Sequence, residues 1–135
     1  MQLQPYLTFD RRCRDAFEAY HAILGGELSM MTQAESPMAE QCAPGQEDAI
    51  LHARLQVGDA VVMGSDAPPQ YYTRPGGFSV TIAVTDPTEA SRIFDALAEG
   101  GTVKMPLQQT FWAQRFGMLV DRFGIPWMVN CQPEG

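Results

Sequence analysis

Basic residues, histidine and cysteine are all scarce in this chain of 135 residues. It has 9 lysine and arginine residues against 16 aspartate and glutamate residues, 2 histidines, and a formal net charge of −7. A protein that binds nucleic acid needs a basic surface to displace counterions from the phosphates. We therefore expect no nucleic-acid partner.

Long apolar runs are also missing, because no stretch approaches the roughly 18 residues that a membrane-spanning helix requires. The first residues lack the pattern of a signal peptide, so we expect no membrane partner. Cys13, Cys42 and Cys131 are odd in number and far apart, which does not suit a disulfide framework and favours a cytoplasmic location. An apolar content of 45% is typical of one soluble domain with its own core.

The first half of the sequence predicts a strand, a helix and three further strands. Alternation over residues 3–9 predicts a strand whose apolar side carries Leu3, Leu7 and Phe9. Helical spacing predicts a helix over residues 12–24, with Asp10 as its N-cap and Gly25-Gly26 as its stop. A loop is predicted over residues 33–48, and strands over residues 28–32, 50–57 and 60–65, the last two joined by a tight turn at Gly58-Asp59.

The second half repeats this order. Phe78, Val80 and Ile82 lie on the apolar side of an alternating strand. A helix follows, with Asp86 as the expected N-cap and Glu89 positioned for a capping box. Gly100-Gly101 end that helix, and further strands are predicted over residues 102–105, 113–121 and 126–131.

The matched order of elements and the two Gly-Gly helix stops indicate an internal repeat of organisation. We therefore predict one domain over residues 1–135 with an α+β fold of two βαβββ modules. The first module covers about residues 1–66 and the second about residues 78–131.

Several predicted strands carry hydrogen-bonding side chains opposite their apolar side. These are Gln4, Tyr6 and Thr8, then His52, Arg54 and Gln56, and then Ser79 and Thr81. Such a face meets solvent, as one side of an antiparallel sheet commonly does, or it lines a ligand cleft if two sheets curve toward each other. The pairing of two modules favours the cleft.

Motifs for nucleotide binding, nucleophilic catalysis and cysteine metal sites are missing: the sequence has no G-x-G-x-x-G, no phosphate loop, no G-x-S-x-G and no C-x-x-C. Near the C-terminus, Trp112, Phe116, Phe123 and Trp127 form either the hydrophobic wall of a pocket or part of the core. Trp112 is the best pocket candidate, because it lies in a predicted loop.

Four groups of residues form a recognisable combination over nearly the whole chain. They are Tyr6-Leu7-x-Phe9; Ala16-Phe17-x-x-Tyr20 leading to Gly25-Gly26; His52-Ala53-x-Leu55-x-x-Gly58-Asp59 with Met63-x-Ser65-Asp66; and Trp112-x-x-Arg115-Phe116-Gly117 through Asp121-x-Phe123-Gly124-x-x-Trp127. This combination resembles the PhnB-like branch of the vicinal oxygen chelate superfamily, which includes glyoxalase I, fosfomycin- and bleomycin-resistance proteins and extradiol dioxygenases. The resemblance implies a glyoxalase/bleomycin resistance-like fold, in which paired modules form a concave mixed sheet with the helices outside, usually in a homodimer. It does not imply one reaction.

Metal-dependent members of that superfamily place ligands on the first and last strands of each module. The resemblance carries these positions onto Gln4, Met63, Ser79 and Met128. A hard divalent ion prefers carboxylates and imidazoles, so we expect no metal ligands and no cofactor. The alternative is a divalent metal ion at an unusual site that includes His52.

The same branch often carries a demethylubiquinone methyltransferase label. Binding of S-adenosylmethionine normally needs a glycine-rich loop after a parallel strand and an acidic contact to the ribose. Neither feature is visible in the sequence, so we expect no methyl transfer.

Three functions remain open, and whether the chain is an enzyme stays undecided. The working hypothesis is a small-molecule-binding protein with a metal-free cleft, in which an arginine holds an anionic group. Its candidate residues are Tyr6, His52, Arg54, Ser79, Trp112 and Arg115. The alternatives are a metal-dependent lyase, isomerase or dioxygenase, and metal-free catalysis with His52 as base and Tyr6 as acid.

Overall fold

The computed structural model describes residues 1–37 and 39–132. Internal contacts divide the chain into two compact units, Met1–Thr73 and Arg74–Gly135. Each unit follows the order strand, helix, strand, strand, strand, and the described residues hold eight strands and two α-helices. The predicted α+β fold of two βαβββ modules is confirmed. None of the helices in the described part is both long and apolar enough to cross a lipid bilayer.

The first unit is a four-stranded mixed sheet with one helix packed on it. Its elements are β1 (Tyr6–Phe9), α1 (Cys13–Leu24), β2 (Glu27–Thr32), β3 (Ile50–Val57) and β4 (Ala60–Asp66), and short 3₁₀ helices occur at Ala39–Gln41 and Pro69–Tyr71. The strand order is β1-β4-β3-β2, with β1 parallel to β4 and the other pairs antiparallel. The helix buries its apolar stripe on this sheet, and the ring of Phe17 meets that of Phe9 edge-on at 6.1 Å between centroids.

Two predictions about the start of this unit are wrong. Leu3 is 92% exposed, because β1 begins only at Tyr6, where pairing with Met63 of β4 starts. Asp10 is not the N-cap of α1; Arg12 occupies that position without a capping side chain. The backbone N–H of Cys13 instead donates to the carboxylate of Asp66 at 3.0 Å, which places a negative charge at the helix N-terminus from the end of β4.

The second unit has the same plan. It contains β5 (Val80–Val84), α2 (Pro87–Ala98), β6 (Thr102–Gln108), β7 (Arg115–Val120) and β8 (Pro126–Cys131), in the strand order β5-β8-β7-β6. Asp86 caps α2 as predicted, since its carboxylate accepts the N–H of Thr88 at 3.0 Å. Glu89 does not close a capping box and pairs with Arg92 instead. Phe78 precedes β5 and is 51% exposed, so its predicted place on the apolar side of that strand is wrong.

Shortly after each helix, a glycine lies directly against the third strand of its own unit. A Cβ atom built on Gly26 would lie 2.2 Å from the carbonyl oxygen of Gln56 in β3. A Cβ atom on Gly101 would lie 2.3 Å from the carbonyl oxygen of Val120 in β7. The two units therefore repeat the same close approach of helix end and strand, as well as the same order of elements.

Candidate ligand-binding face of the first sheet

Side chains of the first sheet alternate between the side covered by α1 and the opposite side, which we call the open face. Along β3, Ala53 and Leu55 are fully buried, whereas His52 and Arg54 are exposed. Residues directly opposite each other on neighbouring strands share a face, so the register extends the open face across the sheet. It includes Tyr6, Glu27, Ser29, Met31, His52, Arg54, Gln56 and Met63.

Two of the predicted site residues lie in one row across this face. Arg54 of β3 is opposite Met63 of β4, and Met63 is in turn paired with Tyr6 of β1. Each step between opposite residues is about 5 Å at Cβ, so Tyr6 and Arg54 lie about 10 Å apart at that level. Both side chains are long enough to meet one ligand above Met63.

His52 completes the cluster. Its ring lies 6.1 Å from that of Tyr6 between centroids, with the two planes tilted by 33°. His52 and Arg54 alternate along β3 and therefore project from the same face. The structure thus brings together Tyr6, His52 and Arg54, half of the predicted set, and it places the pair required by the acid–base hypothesis side by side.

The guanidinium of Arg54 is oriented by a neutral group. Its Nη1 donates to the side-chain oxygen of Gln56 at 3.0 Å, and the Gln56 amide nitrogen donates to the carbonyl oxygen of Gly58 at 3.2 Å. No carboxylate in the described part of the chain forms an ion pair with Arg54, although Glu27 lies opposite Gln56 in the register. The sequence placed Gln56 on the polar face but missed its orienting role, for which the only signal was its spacing of two residues from Arg54.

The other three predicted site residues lie in the second unit. Ser79 is half-buried just before β5, and Trp112 precedes β7, where its ring meets that of Phe116 edge-on at 5.4 Å between centroids. Arg115 alternates with Phe116 and shares its side of the sheet with buried Gly117. Arg115 and Phe116 therefore project from opposite sides of β7.

The C-terminal aromatic motif is divided between surface and core. Trp112 is 46% exposed, whereas Phe123 and Trp127 are buried. Asp121 holds this buried turn: its Oδ1 accepts the backbone N–H groups of Phe123 and Ile125, both at 2.9 Å, and its Oδ2 accepts the indole N–H of Trp127 at 2.8 Å. Phe123 and Trp127 are thus part of the core and not of a pocket wall.

Cys13 is unsuited to nucleophilic chemistry. Burial raises the pKa of its thiol to about 12, and the nearby charge of Asp66 acts in the same direction, against a smaller opposing effect of Arg14. The thiol is therefore neutral at physiological pH, and the thiolate is the nucleophilic form. Its observed role is to contribute the backbone N–H that Asp66 binds.

The family model described as 3-demethylubiquinone-9 3-methyltransferase matches residues 1–130. The chain belongs to this PhnB-like family. Among curated proteins, Protein YjdN from Escherichia coli strain K12 is 37% identical to it over 139 residues, which cover 96% of this chain and 95% of the relative.

Solved structures place the PhnB-like chain in a wider fold group. The protein PA1353 from Pseudomonas aeruginosa is 48% identical, with a TM-score of 0.92 over 99% of both chains. The PhnB protein from Bacillus cereus has a TM-score of 0.79 at 21% identity, over 97% of this chain and 99% of that one. The fosfomycin resistance protein FosX from Mesorhizobium loti has a TM-score of 0.62 at 8% identity, over 96% and 90%. The last two, at less than 25% identity, show a shared fold alone.

The donor set of this PhnB-like chain does not fit a hard divalent ion. At the four positions that the family resemblance implies as ligands stand Gln4, Met63, Ser79 and Met128. None of the four supplies a carboxylate or an imidazole, the ligands that such ions prefer. Within residues 1–37 and 39–132, no three side chains of histidine, cysteine, aspartate or glutamate are grouped to hold a metal.

Proposed function

We propose that this PhnB-like protein binds a small anionic molecule on the open face of its first sheet, without a divalent metal ion. The observation that carries the proposal is the grouping of Tyr6, His52 and Arg54, with the Tyr6 and His52 rings 6.1 Å apart. All three are exposed in a chain whose formal net charge is −7. Among residues 1–37 and 39–132 no carboxylate pairs with Arg54, so its exposed guanidinium is open to an anion beside the two rings.

Each of the three side chains is expected to contact a different part of the ligand. The planar guanidinium of Arg54 can hold a carboxylate or phosphate through two parallel hydrogen bonds. The Tyr6 hydroxyl and the His52 ring supply further hydrogen bonds, and their ring faces suit an apolar part of the ligand. Met63, below them in the same row, adds an adaptable apolar floor.

Binding is also the function we propose in place of methyl transfer. After β1 the chain enters α1 through Asp10, Arg11 and Arg12, with no glycine at the point where a cofactor-binding loop would need close backbone approach. Saturable binding of S-adenosylmethionine to the purified protein would contradict this part of the proposal.

Replacing Arg54 by glutamine is expected to weaken anion binding at least tenfold. The substitution removes a charge-assisted pair of hydrogen bonds, and tenfold corresponds to about 1.4 kcal/mol. Ligand-observed NMR with a panel of small organic carboxylates and phosphate esters, in buffer containing EDTA, measures the affinity. The matched control is Arg92→Gln, which removes another exposed arginine, from α2, where it pairs with Glu89.

Two outcomes oppose the proposal: no anion of the panel binds the unmodified protein, or Arg54→Gln and Arg92→Gln bind equally well. His52→Ala separates binding from catalysis. If this variant keeps anion affinity but abolishes turnover of a bound compound, the acid–base hypothesis replaces simple binding.

The protein is further proposed to be a cytoplasmic homodimer. Its family resemblance supports the dimer, as do large apolar side chains that one chain leaves exposed, among them Leu3, Tyr71 and Phe111. Its three free cysteines support a reducing compartment. Sedimentation equilibrium is expected to give twice the chain mass at micromolar concentration, and a single-chain mass over the whole concentration range would contradict the dimer.

A further inference from the structure

Three methionines form one row across the second sheet. The register pairs Met105 of β6 with Met118 of β7, and Met118 with Met128 of β8. Met118 lies between buried Gly117 and Leu119, on the side of β7 away from α2. Met128 likewise alternates with buried residues of β8, and all three methionines are half-buried. The row is therefore accessible and lies on the side of its sheet that α2 does not cover.

The spacing lets the three sulfur atoms approach one point. Cβ atoms of directly opposite residues lie about 5 Å apart, so the outer two methionines flank Met118 at about that distance on each side. Methionine has three rotatable side-chain bonds, which allow the outer side chains to lean toward the central one. The register shifts on both sides of Met105, so β6 is irregular where it presents this side chain.

Thioether sulfur is a soft ligand, and soft ligands select soft ions such as Cu(I). We propose that Met105, Met118 and Met128 bind one soft monovalent cation, Cu(I) or its analogue Ag(I). The site lies in the second unit and does not depend on the proposed anion binding of the first.

The surroundings of the row agree with a thioether site. On β5, Thr81 lies opposite Met128 and extends the row of methionines by one residue. The row therefore contains three methionines and a threonine, and no ionisable group. The formal net charge of −7 raises the local concentration of cations around the protein. Thioethers carry no proton, so affinity at this site is independent of pH, unlike that of cysteine or histidine ligands, which must first be deprotonated.

The test is an anaerobic titration with Cu(I) under ascorbate, in competition with the chelator bicinchoninate. The starting protein carries Cys42→Ser, because Cys42 is the partly exposed thiol, whereas Cys13 and Cys131 are buried. One equivalent of Cu(I) is expected to bind, with the same affinity at pH 5.5 and pH 7.5. Met118→Leu, which keeps size and apolar character, is expected to lower the affinity at least tenfold.

Met30→Leu is the matched control, since Met30 is a half-buried methionine in a strand of the first sheet and belongs to neither proposed site; the Cu(I) affinity of this variant is expected to be unchanged. Failure of the protein to take Cu(I) from the chelator overturns the proposal, as does equal binding by Met118→Leu or an affinity that falls in acid. If Met118→Leu does not fold, Met105→Leu provides the same test. Anion affinity measured on the same protein samples tests the proposed site on the first sheet, so failure of one proposal can be told apart from failure of the other.

Discussion

Replacing Gly26 by alanine is expected to lower the free energy of unfolding by about 3 to 5 kcal/mol. The new Cβ atom would lie 2.2 Å from the carbonyl oxygen of Gln56, which β3 holds in place, so the helix end or the strand must move. The φ angle of Gly26 is 85°, a left-handed conformation that adds about 1–2 kcal/mol for a residue with a side chain. Urea unfolding followed by circular dichroism measures the loss.

Gly25→Ala is the control for this prediction. Gly25 also has a positive φ, 75°, but a Cβ atom there would meet nothing within 4 Å. The ψ angle of Gly25 is −151°, in a backbone region that is essentially restricted to glycine, so its substitution is expected to cost about 1–3 kcal/mol of backbone strain alone. Equal losses for the two variants would show that the contact with β3 contributes nothing.

Replacing Asp121 by alanine is expected to destabilise the protein by about 3 to 5 kcal/mol. The carboxylate is buried and accepts hydrogen bonds from Phe123, Ile125 and the indole of Trp127, so its removal breaks three buried hydrogen bonds at once. A buried donor costs about 1–3 kcal/mol when left unsatisfied. Thermal and urea unfolding measure the loss, and a red shift of indole fluorescence is expected to accompany it because the indole N–H of Trp127 no longer donates to this carboxylate.

Asp86→Ala serves as the comparison, because Asp86 also accepts a backbone N–H but does so at an exposed helix end. Loss of such a cap costs about 1 kcal/mol. If Asp121→Ala costs no more than Asp86→Ala, the buried network around Trp127 is not the stabilising feature that the geometry indicates.

The sequence predicted best those strands and helix ends that are determined by residues close together in the chain. The strands over residues 50–57 and 126–131 have the predicted ends, and the N-cap at Asp86 is confirmed. Such signals lie within a few neighbouring residues, where alternation and capping act directly. The N-terminus of α1 shows the limit, because its anionic partner is Asp66, 53 residues away in sequence from Cys13. No local pattern reveals that contact.

The candidate site was predictable in part for the same reason. Alternation placed His52 and Arg54 on one face of β3, and the structure confirms it. Their proximity to Tyr6 depends on the pairing of β1 with β4, which sequence pattern does not determine. Arg115 was grouped with Trp112 by sequence neighbourhood, yet it shares its side of β7 with Gly117, beneath α2.

Motif residues that resemble a family can be structural. Asp66 and Asp121 both belong to the motifs that carried the resemblance, and both use their carboxylates to bind backbone N–H groups of their own unit. The motifs therefore identify how each module is built. The chemistry of this chain has to be sought in the side chains of the sheet faces instead.

The central claim is that an anion binds beside Arg54 without a divalent metal ion. A ¹⁵N–¹H NMR titration of EDTA-treated protein, with the tightest-binding anion of the panel, tests it most directly. The account predicts saturable shift changes centred on Tyr6, His52 and Arg54 that are the same with and without added Mn²⁺ or Zn²⁺. Shifts that appear only after a divalent ion is added, or that centre on other residues, would contradict it.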